Sequence, residues 1–217
     1  MEPNANTDVV RKSDMKKGEK RRQELIRIAY RLFVSRGYEQ TSVDEIIEEA
    51  GIAKGTYYYH FQSKEQMLEE VIGMMLQAEA QKAEAVLRSD LPVPEKIVGV
   101  IASIQPERQE QTIDDALHRP ENLLMHDKIR RRLFDLVVPL LSRAAEDGVR
   151  EGLFACDHIP ERIRMILILS SDLFDGHNPY TPAVVDVFID ATEKILDAKP
   201  GTMGFLRALI RRPQDIQ

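Results

Sequence analysis

Cysteine is almost absent. Cys156 is the only one in 217 residues, which excludes an intrachain disulfide framework and a thiolate metal cage and fits a reducing compartment. Long apolar runs are missing as well: no stretch approaches the ~18 uninterrupted apolar residues of a membrane span, and the N-terminus is polar rather than signal-like. The chain is therefore expected to be cytoplasmic, with no membrane partner. There is no alternating strand pattern, internal repeat, phosphate-binding glycine loop or nucleophile elbow. Positive charge is also in deficit, 30 Lys/Arg against 36 Asp/Glu, and taken whole this argues against a nucleic-acid partner.

The deficit is uneven. Residues 1–64 hold 12 Lys/Arg against 10 Asp/Glu, net +2, while residues 65–217 hold 18 against 26, net -8. A mildly basic head on an acidic body is the asymmetry expected when only the head meets DNA. The 43% of hydrophobic residues suffices for a packed core, and it is arranged with helical periodicity throughout.

The most informative stretch is residues 41–64, TSVDEIIEEAGIAKGTYYYHFQSK. Ser42 and Glu45 have capping-box spacing, so a helix begins at Val43, and Val43, Ile46, Ile47 and Ala50 give it one buried face. Gly51 stops it, with Ile52 turning back beside the core. The next helix covers residues 54–61. At about 100° per residue, Tyr57 and Phe61 form its inner pair. Gly55, Thr56 and Tyr59 face outward, flanked by Lys54, Tyr58 and His60.

Aromatics on one side and small, hydroxyl or cationic groups on the other suit a helix entering a DNA major groove. Gly55 permits close approach, while Lys54, Thr56 and Tyr59 face bases. Ser42, Tyr58, His60 and Lys64 then position the protein on phosphates. The plainer reading is a surface turn of a helical bundle whose tyrosines only pack.

Residues 20–72 carry, in order, A-x-x-L-F-x-x-x-G-Y, T-S-V-x-x-I, A-G-I-x-K-G-T-x-Y-x-H-F and S-K-E-x-M-L. Together these resemble the N-terminal DNA-binding domain of the tetracycline-repressor (TetR) family of bacterial transcription regulators, over about a quarter of the chain. Ala53 departs from the pattern, since a hydroxyl residue able to cap the following helix is common there. The resemblance implies an all-α fold: a three-helix helix-turn-helix domain followed by a larger helical ligand-binding and dimerisation domain. The expected division is a disordered tail over residues 1–18, the DNA-binding domain over 19–64 and the body over 65–217. Lys20, Arg21 and Arg22 continue the tail's cations and could follow DNA as an arm, although a solvated tail is the simpler role.

Ser63 and Gln66 form a second capping box, opening a helix to about Arg88 that is apolar on more than one side and would connect head to body. Helices follow from Pro94 to Ile104, around Ile113–Leu117, and from Pro120 to about Gly148, the last kinked by Pro139. Asp157 with Pro160 and Thr181 with Pro182 each read as an N-cap followed by a first-turn proline. Met203, Leu206, Leu209 and Ile210 suggest an amphipathic tail helix.

The last two long helices are apolar around much of their circumference, so a second subunit could cover Ile168, Val184, Phe188 and Ile195. The family resemblance implies the same two-fold four-helix interface. It also implies a small-molecule site in the body, for which Met75, His118, Met125, His126, Phe134 and Met165 are the candidates.

Cys156 and His158 lack a third catalytic group, and no catalytic residue or cofactor is expected. Asp114, Asp115, His118 and His126 flank the Pro120 turn and carry groups that suit zinc- or manganese-like ions. Their spacing matches no ligand signature, so polar contacts are the expected reading and no metal site is assigned. The sequence thus reads as a ligand-released repressor binding a palindromic operator as a homodimer. The competing reading is a helical adaptor or enzyme with an incidental helix-turn-helix.

Overall fold

The computed structural model describes residues 5–105, 107–174 and 180–210, with side chains from Lys17 onward. All regular structure among these residues is helical, in agreement with the all-α expectation. Among the described residues nine α-helices follow one another: α1 Ala5–Arg36, α2 Val43–Glu49, α3 Lys54–His60, α4 Lys64–Leu87, α5 Val93–Ser103, α6 Gln111–Leu117, α7 Leu123–Arg150, α8 Ile159–Leu173 and α9 Pro182–Ile195. Short 3-10 turns stand at Arg108–Glu110, Pro120–Asn122 and Gly204–Ala208.

The chain forms two compact units. One ends at Met75 and resumes after Gln105 as far as Ile129; the other holds Leu76–Gln105 and continues from Arg130. Helices α4 and α7 therefore contribute residues to both.

In the first unit α1 supplies the central apolar stripe. Leu25, Ile26, Ala29 and Phe33 are fully buried together with Ile46, Tyr57, Phe61, Met67, Leu68, Val71 and Ile113. The corner after α1 is closed by Gly37, whose φ of 94° favours glycine. Its carbonyl accepts the hydroxyl of buried Thr41 at 2.8 Å. Two ties hold the returning 107–117 segment to α1: the Tyr30 hydroxyl donates to Glu110 Oε1 at 2.8 Å, and Thr112 Oγ1 donates to the Phe33 carbonyl at 3.1 Å.

The second unit buries Val93, Ile97 and Val100 of α5 with Val137, Leu141, Ala144 and Ala145 of α7 and Val185, Phe188 and Ile189 of α9. Gly148 has a packing reason. A Cβ there would stand 2.5 Å from the Phe154 ring, so only a residue without one lets that ring lie on α7. Helix α7 passes through Pro139 without interruption, although the proline removes one hydrogen-bond donor from the ladder.

Helix α1 begins at Ala5; residues 1–4 of the segment expected to lack order lie outside those described. Two local expectations change. Asp157 does not cap α8. The N-cap is His158, in the left-handed region at φ 50°, while the Asp157 carboxylate accepts Arg162 Nη2 at 3.1 Å. The tail is a 3-10 segment rather than an α-helix, with Met203 and Leu206 buried. Thr181 caps α9 as its sequence indicates, accepting the Val184 N–H.

Candidate nucleic-acid interface

Local chemistry fixes α2 and the turn behind it. Ser42 Oγ accepts the Glu45 N–H at 3.1 Å, and Glu45 Oε2 accepts the Ser42 N–H at 2.7 Å and its hydroxyl at 2.9 Å. The capping box is complete. Those donations from Ser42, with Arg36 Nη1 donating to the other carboxylate oxygen at 2.9 Å, hold the Glu45 carboxyl below its ordinary pKa. At the far end Gly51 takes φ 60°; its N–H reaches the Glu48 carbonyl and that of Ile52 reaches Ile47. This double closure satisfies two otherwise orphaned carbonyls and sends the chain into α3.

Helix α3 starts without a side-chain cap, because Ala53 has no oxygen to offer. Packing orients it instead. Tyr57 and Phe61 are fully buried with ring centroids 5.6 Å apart, and the Tyr57 hydroxyl donates to the Ser63 carbonyl at 3.3 Å, tying α3 to the start of α4. There Ser63 Oγ accepts the Gln66 N–H, and Gln66 Oε1 accepts the Gln62 N–H rather than that of Ser63.

With that pair inward, Lys54, Gly55, Tyr58 and Tyr59 are exposed, Tyr59 at 83%, while Thr56 and His60 are half-buried. The outward face is thus small, aromatic and cationic.

Electrostatics refine the individual roles. Lys54 Nζ meets Asp44 Oδ1 at 3.0 Å, an exposed brace between α3 and α2 that holds the lysine above its ordinary pKa. Burial first, then the nearby Arg22, push His60 below the usual imidazole range. Lys64 is half-buried, its ammonium 4.1 Å from the centre of the Tyr38 ring and donating to the Glu39 carbonyl at 3.3 Å. Burial lowers its pKa too.

Of the basic cluster before the head, Arg22 pairs with Glu70 at 2.7 Å and stacks 5.3 Å from the centre of the Phe61 ring; Arg21 pairs with Glu24. Asp44 and Arg22 are the contributors to this surface that sequence reasoning did not single out for these roles. Their partners lie 10 and 48 positions away, beyond any local signal.

The candidate effector residues divide between the units. Met75, His118, Met125 and His126 belong to the first; Phe134 and Met165 belong to the second. His118 and His126 come together, with ring centroids 4.8 Å apart. Phe134 is buried, with the Arg130 guanidinium 5.9 Å from its ring centre, whereas Met165 is 54% exposed. A cleft of about 330 Å³ in the first unit is lined by residues 34–40 with Thr112, Asp115, Ala116 and Arg119, and includes none of the six.

The four candidate dimer residues differ among themselves. Ile168 is exposed on α8 beside Met165 and Leu169; Val184 and Ile195 are half-buried. Phe188 faces inward, edge-on to Phe174 at 5.1 Å, and its neighbour Val187 is a large apolar residue of α9 that stays exposed. Both residues sit on a broad apolar stripe, and only packing separates the inner from the outer. Cys156 is buried, which pushes its thiol up, the reverse of what a nucleophile requires.

Residues 25–71 match the family model described as bacterial regulatory proteins, tetR family. The chain is 32% identical over 116 residues to the HTH-type transcriptional repressor KstR2 of Mycolicibacterium smegmatis, an alignment covering 54% of this chain and 53% of that protein. It thus spans about half the length of that relative. An HTH-type transcriptional regulator of Bacillus subtilis, YhgD, is 21% identical over 75% of this chain and 87% of its own. Among solved structures, RolR in complex with resorcinol superposes with a TM-score of 0.64 at 19% identity, covering 92% of this chain and 97% of that one. That likeness is one of fold.

Proposed function

We propose that the chain is a repressor of the tetR family of bacterial regulatory proteins, whose model residues 25–71 match, and that it binds a palindromic operator as a homodimer in the cytoplasm and leaves it when a small molecule occupies its helical body. The observation that carries the reading is the orientation of α3. Tyr57 and Phe61 are spent on the core, leaving Lys54, Gly55, Thr56 and Tyr59 for the groove and Ser42, Tyr58, His60 and Lys64 for phosphates. Repression is the activity named for KstR2.

The exposed Met165, Ile168, Leu169 and Val187 favour a second subunit on α8 and α9. Two heads related by a two-fold axis require two half-sites, separated by one or more helical turns of about 34 Å. Effector release would act through α4, which has residues in both units. It requires the effector to bind the DNA-competent and DNA-incompetent arrangements unequally, by about 1–3 kcal/mol in typical systems, and DNA must weaken the effector by the same factor.

The test is selection of bound duplexes from random DNA by the purified chain, followed by titration of the enriched sequence in rising salt. A palindromic enriched motif, whose preference relaxes at one base pair per half-site in K54A, is the expected result. Enrichment of no sequence, with salt-independent retention, would sink the reading in favour of an adaptor.

A further inference from the structure

The carboxyl end of α1 and the last turn of α6 line one cleft of about 330 Å³, which lies wholly in the first unit. That volume stands at the lower end of the roughly 300–1,000 Å³ typical of small-molecule sites. Hydroxyl, carboxamide and charged side chains make up most of the lining, so a matching ligand is small and hydrophilic.

The lining is rich in acceptors. A helix leaves its last four carbonyls without partners of its own and carries a partial negative charge there. In α1 the Phe33 carbonyl accepts the Gly37 N–H at 2.9 Å and the Thr112 hydroxyl at 3.1 Å, whereas those of Val34, Ser35 and Arg36 accept no hydrogen bond from the described residues. Gln40 adds its side-chain oxygen, which lies so close over Gly37 that a Cβ there would stand 2.5 Å from it.

The charges point the same way. Arg36 is engaged by Glu45 at 2.9 Å and Arg119 by Glu39 at 3.1 Å. The Tyr38–Glu39 turn, which also lines the cleft, shows how this region receives an ammonium: it holds that of Lys64 between the Tyr38 ring and the Glu39 carbonyl. Asp115 is different. Its Oδ1 accepts the Gln111 side-chain amide at 3.1 Å, and the carboxylate makes no ion pair among the described residues. The unbalanced charge in the lining is therefore negative.

We propose that this cleft binds a small aliphatic amine in its ammonium form, with Asp115 as counter-charge and the carboxyl end of α1 as hydrogen-bond acceptor. An ammonium offers three donors and no acceptor, which matches carbonyls and a carboxylate. An anion of the same size meets the wrong end of the helix.

Amine binding here stands apart from operator binding and from an effector in the body, and it is read with no DNA present. Calorimetric titration of the full chain with putrescine, near neutral pH and at low salt, should give one molecule per chain. In an isotope-labelled sample the amide resonances of Gly37 and Asp115 should move as the site fills. D115N keeps the shape and removes the charge; it should weaken binding at least ~10-fold, as expected when a charge-assisted hydrogen bond becomes a neutral one. E151Q removes one exposed carboxylate from the other unit and should leave binding unchanged. Succinate, of the same chain length and opposite charge, should not bind. The proposal is overturned if putrescine at millimolar concentration gives neither heat nor movement of those two resonances, if D115N binds it as tightly as the wild type, if D115N and E151Q weaken it equally, or if succinate binds as well.

Discussion

Replacing Tyr30 by phenylalanine removes one oxygen and tests how the 107–117 segment is held on α1. The lost bond is the 2.8 Å donation to Glu110 Oε1, from a half-buried tyrosine to a carboxylate only 8% exposed. The other carboxylate oxygen keeps its donor, the Glu107 N–H at 2.9 Å. Hydrogen bonds to charged groups contribute roughly 1.5–3 kcal/mol, and the partial exposure of Tyr30 allows water to replace some of this. A loss of about 1–2 kcal/mol corresponds to a melting temperature lower by roughly 2–8 °C in a chain of this length.

The pH dependence has a definite sign. Burial first, then the Glu110 carboxylate, raise Tyr30 from about 10 to about 12, so its contribution is whole below pH 10 and disappears as pH rises through about 12. The gap between wild type and Y30F should therefore narrow over that window. Thermal melts of wild type, Y30F, E110Q and the double variant form a cycle whose coupling should exceed about 0.5 kcal/mol. A Y30F melt within about 1 °C of wild type, with no coupling to Glu110, would refute the reasoning.

Other substitutions probe the head and the outer faces. Changing Asp44 to asparagine frees Lys54 from its 3.0 Å brace and removes a negative charge beside α3; fluorescence anisotropy should show tighter, less selective DNA binding, and weaker binding would contradict the proposed DNA face. V187E should shift sedimentation toward monomer with the melting temperature little changed, whereas F188A should cost the protomer about 3–5 kcal/mol by opening a cavity against Phe174; equal effects of the two would undo the distinction between inner and outer residues. G148A should destabilise by about 1–3 kcal/mol as its Cβ meets the Phe154 ring, and an unchanged denaturation midpoint would show that this ring moves freely.

Much of the α2–α3 segment is written within four residues of itself. The Ser42–Glu45 box, the glycine stop at Gly51 and the inward pairing of Tyr57 with Phe61 follow from capping chemistry and the 3.6-residue repeat, and all stand in the structure. Thr181 obeys the same local logic, whereas Asp157 does not, because Arg162 claims its carboxylate. Tertiary structure alone decided which charges are engaged: Lys54 by Asp44, Lys64 by the Tyr38 ring and Arg22 by Phe61 and Glu70. It also carried Glu110 back to Tyr30 across 80 positions, turned Phe188 inward and Val187 outward, and set His118 beside His126. Helix caps and periodicity are short-range properties of the backbone, fixed by neighbours in sequence. Side-chain partners depend on the path of the whole chain, and an apolar stripe records that a face is buried without recording what buries it.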